Sequence, residues 1–266
     1  MAGAGNAYDS PVERTRVDWS TYASVLFDLD GVITPTAVVH MRAWSEMFNA
    51  FLSGGDTGGG DRSAYTDADY FAHVDGKPRY DGVRDFLAAR GIDLPEGSSD
   101  DAGETLTVRG LGNRKNDAFN EVLERDGVEA YPGSVALLDH LREIEMPLAV
   151  VSSSANAPAV LEAAGLADRF RTVVSGAVAE ERGLPGKPAP DTFVFAAEEL
   201  GTDAAHSVVL EDAVSGVRAG AAGAFALVVG VDRGAGEQVL TAAGAHLVVS
   251  DLVELLPDRN TEGVDL

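Results

Sequence analysis

Cysteine is absent from this 266-residue chain, which excludes a disulfide scaffold, a thiolate zinc site, an iron–sulfur cluster and a cysteine nucleophile. Histidine is scarce at five residues, and aromatic residues make up 7%. Positive charge is short as well: Lys plus Arg number 20 against 43 Asp plus Glu, for a formal net charge of -23. Binding to a phosphate backbone relies on clustered Lys and Arg that displace counterions, so this balance argues against a nucleic-acid partner. An acidic excess of this size is equally what an adaptation to salt gives, and in that case it concerns solubility rather than a site. No stretch approaches the ~20 continuous apolar residues of a membrane span. Residues 1–20 lack the apolar segment of a secretory signal, because Asn6, Asp9, Glu13, Arg14 and Arg16 interrupt them. The expectation is a cytoplasmic, monomeric protein with an N-terminal tail over 1–20 and no membrane partner.

What is present is enough apolar material, 45% of residues, to bury a sizeable core in one large or two modest domains. Short apolar runs read as strands at 25–27, 147–151, 172–174, 207–210, 224–229 and 247–249, with Leu106-Thr107-Val108 as a weak extra candidate. Helical spacing of Met41, Trp44, Phe48 and Phe51 predicts a helix over 38–52, followed by a glycine-rich loop at 53–60. Further helices are predicted at 157–164, 191–200 and 215–222, whereas 67–126 is polar and helical in character. Near-continuous apolar strands alternating with helices indicate an α/β fold built on a parallel sheet covered on both faces. The order of segments predicts a core from 21–40 and 128–266, interrupted by a helical cap at 41–127.

In such sheets ligands sit beyond the carboxyl ends of the strands. Strand 25–27 delivers Asp28 and Asp30 there, strand 147–151 delivers Ser152, Ser153 and Ser154, strand 207–210 delivers Glu211 and Asp212, and the loop before helix 191–200 adds Lys187. Singly these have ordinary explanations: a turn, a helix N-cap, a surface loop and a pair of acids at a helix start. Together they suffice for phosphoryl transfer. One carboxylate can attack phosphorus and another can protonate the leaving oxygen and later deprotonate the acceptor. Clustered carboxylates call for a hard cation, for which Mg²⁺ is the natural choice, and a hydroxyl and an ammonium can hold the phosphoryl group.

These residues resemble the haloacid dehalogenase superfamily, whose four motifs occur in order as Phe27-Asp28-Leu29-Asp30-Gly31-Val32, Val150-Val151-Ser152-Ser153-Ser154, Gly186-Lys187-Pro188-Ala189-Pro190-Asp191 and Leu210-Glu211-Asp212-Ala213. The resemblance implies a Rossmann-like, doubly wound parallel sheet with an inserted α-helical cap. Asp30 separates the chain from the dehalogenases proper, which lack an acid there. Segments 31–44, 113–117, 131–133 and 152–156 are similar to those of the β-phosphoglucomutase group. That likeness implies Asp28 as nucleophile, Asp30 as general acid and base, and Ser152 and Lys187 as holders of the phosphoryl group. It implies Asp28, Asp30 through its carbonyl, Glu211 and Asp212 as the Mg²⁺ environment. Arg79 falls where a cap arginine meets a second phosphate, and Thr36, His40, Trp44, Gly76, Lys115, Ser154 and Asn156 match positions that gate the cap or contact the ligand. The implied substrate is a small phosphorylated sugar. The implied activity is interconversion of β-D-glucose 1-phosphate and glucose 6-phosphate, with sugar-phosphate hydrolysis as the alternative and non-catalytic binding as a third reading. Pro35, Asp75, Lys77, Ala155 and the glycine-rich stretch depart from the group's pattern, all at positions of substrate recognition.

Overall fold

The computed structural model describes residues 17–54 and 59–257. Most of the expected N-terminal tail (1–16) and residues 55–58 of the glycine-rich loop lie outside the described residues. Six strands, β1 (Ser24–Phe27), β2 (Leu148–Val151), β3 (Thr172–Val174), β4 (Ser207–Glu211), β5 (Leu227–Val231) and β6 (Leu247–Val249), form one sheet in the order β3-β2-β1-β4-β5-β6. Every pairing in it is parallel.

A parallel sheet needs cover on both faces, and the alternation of side chains along each strand supplies two clusters. Val25, Phe27, Val150, Val208 and Leu210 point to one face, where α5 (Pro132–Glu143) and α6 (Ala157–Ala163) bury Leu137, Leu138, Leu141, Val160 and Leu161 against them. Leu26, Ala149, Val151, Val209 and Val228 point to the other. There α8 (Asp191–Glu199), α9 (Val214–Ala222) and α10 (Glu237–Ala243) contribute Phe193, Ala196, Val217 and Leu240. One further short helix, α7 (Gly176–Arg182), follows β3. This is the predicted Rossmann-like core.

The helical insertion has a core of its own. It comprises α1 (Thr36–Ser53), α2 (Asp67–Asp69) running on into a π turn (Tyr70–Val74), α3 (Arg79–Ala89) and α4 (Val108–Asp126). Trp44, Met47, Phe48 and Phe51 recur at helical spacing on α1 and pack with Tyr65, Val83, Phe86 and Leu111. Among the described residues no helix is long and apolar enough to cross a membrane.

Two sequence expectations need correction. Leu106-Thr107-Val108 is not a strand: the Thr107 hydroxyl accepts from Gly110 N and caps α4, which starts at Val108. The strand expected at 224–229 begins only at Leu227, because Ala224 takes φ 55° in the turn that leaves α9.

The crevice that serves a doubly wound sheet lies where the strand order reverses, at the carboxyl ends of β1 and β4. Those two strands are neighbours, with Phe27 paired to Leu210 and Asp28 N donating to Leu210 O at 2.9 Å. Asp28 and Glu211 are therefore side by side by construction.

Candidate active site

Asp28 leaves β1 buried, and its carboxylate accepts from Lys187 Nζ at 2.6 Å. Lys187 also donates to Glu211 Oε1 at 2.5 Å and to Val151 O at 3.0 Å, so one ammonium ties the ends of β1, β2 and β4 together. Burial pushes the Asp28 carboxyl well above the usual carboxylate range, against the pull of Lys187. Burial would depress Lys187, but Asp28 and Glu211 outweigh it and raise its pKa, keeping it protonated.

The second oxygen of Glu211 accepts from Ala213 N at 2.8 Å. With both oxygens engaged and none of its surface exposed, Glu211 holds Lys187 beside the cavity floor. Asp212, the next residue, is different. Among the described residues nothing donates to its carboxylate, and burial raises its pKa well above normal, reinforced by Glu211, Asp75, Asp28 and Asp30. A half-buried carboxylate with no donor, close to other carboxylates, is chemically suited to a positive ion. Gly31 permits the approach: its φ of 87° and missing Cβ leave room for the Asp212 carboxylate, and Arg233 Nε anchors its carbonyl at 2.7 Å. Among the described residues no three or more His, Asp or Glu side chains gather as a metal cluster. Two carboxylates completed by a backbone carbonyl, water and phosphate oxygens nevertheless suit Mg²⁺, which takes few protein ligands.

Asp30 sits 20% exposed at the start of a polar chain. It accepts from the Thr36 hydroxyl, which contacts Thr34 Oγ1 at 2.7 Å, and His40 Nε2 lies 3.3 Å from its Oδ1, out of line for a hydrogen bond. His40 Nδ1 meets Lys115 Nζ on its other side. Burial alone would raise Asp30, but His40, Thr36 and Lys115 bring it down to about 2. Burial, with Arg79 nearby, lowers Lys115 to about 7 despite the attraction of Asp30, and burial with Lys115 lowers His40. The His40 ring stacks on Phe119 at 4.1 Å between centroids, and Lys115 lies 5.3 Å from the centre of Trp44.

Above these groups the cap closes a cavity of about 350 Å³. Asp28, Asp30, His40, Trp44, Gly76, Arg79, Lys115, Ser152, Ser154, Glu211 and Asp212 line it together. Thr36, Asn156 and Lys187 do not: Thr36 stands behind Asp30, Lys187 behind Asp28, and Asn156 Nδ2 donates to Asn116 Oδ1 of α4 at 2.8 Å. Ser152 Oγ accepts from Ser154 N at 3.1 Å at the end of β2. The cap loop is pinned to the core by Ser153 Oγ donating to Gly76 O at 2.7 Å and Ser215 Oγ donating to Asp75 O at 2.9 Å. Gly76 has φ 67°, and any Cβ there would collide with Ser215 and Ala213.

Several lining residues are not among the candidates that the sequence indicates, and Asp75 is there only a departure from the group's pattern. Asp75 points a carboxyl toward the floor, where burial, with Glu211 next in weight, raises it to about 7. Tyr80, Arg84, Arg109 and Glu180 complete the outer wall. Five of the chain's 20 Lys and Arg line this one cavity, namely Lys77, Arg79, Arg84, Arg109 and Lys115. Asp28, Asp30, Asp75, Asp81, Glu180, Glu211 and Asp212 line it too, so the basic side chains offset the acidic ones rather than outnumber them.

The chain matches the haloacid dehalogenase-like hydrolase family over residues 22–223. It is 49% identical over 237 residues to a β-phosphoglucomutase of Mycobacterium bovis, a match covering 87% of this chain and 90% of that protein. It is 29% identical over 203 residues to hexitol phosphatase A of Escherichia coli, covering 74% and 77% of the two chains. The crystal structure of a β-phosphoglucomutase from Clostridium difficile shares the fold, with a TM-score of 0.69 at 23% identity over 88% of this chain and 93% of that one. On the family match and the curated relatives, the chain belongs to the haloacid dehalogenase-like hydrolases and is an enzyme, a mutase or a phosphatase.

Proposed function

We propose that this enzyme is an Mg²⁺-dependent phosphosugar mutase that interconverts β-D-glucose 1-phosphate and glucose 6-phosphate through an aspartyl-phosphate on Asp28 and a 1,6-bisphosphate. The observation that carries the reading is the cavity beneath the cap, with the Asp28 carboxylate at its floor and Arg79 in its cap wall. A molecule with phosphates at both ends would meet the nucleophile at one and a guanidinium at the other. The Mycobacterium bovis relative, a β-phosphoglucomutase, supports it.

The chain's own residues divide the work. The free oxygen of Asp28 attacks phosphorus; the Asp28–O–P bond forms as the bond from phosphorus to the sugar oxygen breaks. That oxygen takes a proton from Asp30, whose pKa rises from its low resting value when a phosphate dianion is brought alongside. In the complementary step the free 6-hydroxyl of β-glucose 1-phosphate attacks the aspartyl-phosphate and gives its proton to Asp30, which forms the 1,6-bisphosphate and frees the Asp28 carboxylate to take the other phosphoryl group. Lys115 and His40, in contact behind Asp30, orient it and exchange charge with it. Ser152, with Lys187 held in place by Glu211, stabilises the charge on the transferring group. Mg²⁺ between Asp28 and Asp212, with the Asp30 carbonyl, would neutralise the phosphoryl oxygens when bound. The cytoplasm is the proposed location and a monomer the proposed state.

Hydrolysis is the second reading, favoured by the likeness to hexitol phosphatase A. It shares every step to the aspartyl-phosphate and differs only in accepting water. Cap contacts from Ser153 and Ser215 hold the cap loop over the floor, an arrangement that limits the approach of water and favours the sugar hydroxyl. Phosphorus NMR of β-glucose 1-phosphate with Mg²⁺ and a trace of the 1,6-bisphosphate tests the choice: glucose 6-phosphate is expected, and inorganic phosphate alone would assign the enzyme to the phosphatases.

A further inference from the structure

We propose that Arg109 is a specificity-determining residue: together with Arg79 it takes the phosphate that is not being transferred, giving up Glu180 to do so. The inference rests on the phosphosugar reading above and adds to it a residue that no motif indicates.

The outer wall of the cavity is organised around Tyr80. The Arg79 guanidinium lies 4.7 Å from the centre of its ring and that of Arg109 lies 4.6 Å from it. Arg79 Nη2 also donates to the Tyr80 hydroxyl at 2.9 Å, and that hydroxyl donates to Asn113 Oδ1 at 2.8 Å, so the ring is fixed against α4. Two guanidinium groups on one ring repel unless anions balance them. Arg79 has no carboxylate within ion-pair distance among the described residues, and its Nε is buried with no hydrogen-bond partner. A buried donor with nothing to receive it indicates a missing acceptor.

Arg109 does have anionic partners, but loose ones. Its Nη1 is 3.3 Å from Glu180 Oε1 and its Nε 3.3 Å from Glu96 Oε1. The Glu180 side chain is 64% exposed, so water screens that pair and readily replaces it. A phosphate in this cavity, which both arginines line, offers three oxygens with the fork geometry that guanidinium groups match best. Glu96 and the Tyr80 ring keep the Arg109 stem in position while its fork turns from Glu180 to the ligand. Arg109 belongs to the cap and Glu180 to α7 of the core, so the exchange happens across the mouth of the cavity.

The test compares Arg109→Ala and Glu180→Gln with the unaltered enzyme on two substrates and one competitor. Loss of a charged, forked hydrogen-bonding partner predicts that Arg109→Ala raises KM for the sugar bisphosphate by roughly 10- to 100-fold, with a smaller change in kcat. Turnover of p-nitrophenyl phosphate, which has no second phosphate, should change by less than about threefold on the same grounds. Glu180→Gln frees Arg109 and should lower the bisphosphate KM, which a purely structural role for the ion pair would not do. Equal losses on both substrates, or an unchanged bisphosphate KM in Arg109→Ala, would overturn the proposal. Inhibition of p-nitrophenyl phosphate hydrolysis by a hexose bisphosphate separates the two levels of inference. If no isomerisation occurs yet that inhibition weakens in Arg109→Ala, the mutase reading fails and the phosphate site stands; if isomerisation occurs and the inhibition is unaffected, the reverse holds.

Discussion

Replacing Lys187 with Met probes the floor of the site through stability as well as activity. The side chain is 1% exposed, and it stands between Asp28 at 2.6 Å and Glu211 at 2.5 Å. Met fills nearly the same volume, so the change removes the ammonium and leaves two carboxylates facing each other out of water. Breaking a buried ion pair by deleting one partner costs about 3–5 kcal/mol. For a chain of this size each kcal/mol moves Tm by roughly 2–4 °C, which predicts a fall of about 6–20 °C in EDTA at pH 7.5. Proton uptake by Asp28 relieves part of the cost. Its folded pKa lies above the unfolded one, so the folded form holds the extra proton and the deficit narrows as pH is lowered toward 5. Adding Glu211→Gln removes one of the stranded charges and should recover most of the loss in Tm while restoring no activity. Calorimetry on the wild type, both single variants and the double variant measures this. A Lys187→Met protein melting within about 2 °C of wild type, or a double variant less stable than Lys187→Met, would refute the reasoning.

Asp28→Ala should reduce turnover to background on both sugar and aryl phosphates, and retained activity above that background in a stopped assay would exclude the covalent route. Asp75, raised to about 7 by burial and Glu211, keeps its extra proton in the folded state between about pH 4 and 7, so the folded state loses stability as pH rises through that window. Asp75→Asn should therefore gain in Tm relative to wild type between pH 5 and pH 7.5, and an offset that stays constant across that range would show that the carboxyl is not held in a dry place. Phe48, fully buried with Phe86 4.1 Å and Tyr65 4.9 Å away, anchors the cap core. Phe48→Ala should cost about 3–5 kcal/mol in urea denaturation, and a loss below about 1 kcal/mol would mean that the cap does not depend on this cluster.

The strands of the sheet centre were legible because each is a short, wholly apolar run that ends in a polar residue: Val25-Leu26-Phe27 before Asp28, and Val208-Val209-Leu210 before Glu211. The same rule misplaced β5, since apolarity cannot distinguish the buried turn at Ala224 and Phe225 from the strand that follows. Helices α5, α7 and α10 were passed over, two of them only seven residues long, too short for a period to stand out. At the site, the residues beyond the strand ends declared themselves through position and chemistry. One contact of Glu211 did not, since its hold on Lys187 depends on the loop before α8 folding back to the sheet. Asp75 showed only as a departure from the group's pattern, and Tyr80, Arg109 and Glu180 not at all, for another reason. Their meaning comes from a loop, two cap helices and α7 meeting across the cavity, and no local spacing encodes that meeting.

The most direct test of the central claim, that the phosphoryl group passes from Asp28 to a sugar hydroxyl rather than to water, is the reaction run in ¹⁸O-labelled water with β-glucose 1-phosphate, Mg²⁺ and catalytic 1,6-bisphosphate. The isotope shift in the phosphorus NMR spectrum reports the oxygen attached to phosphorus. Glucose 6-phosphate whose phosphoryl oxygens carry no label, with little inorganic phosphate, is the predicted result. Labelled inorganic phosphate as the main product would contradict it and place water as the acceptor.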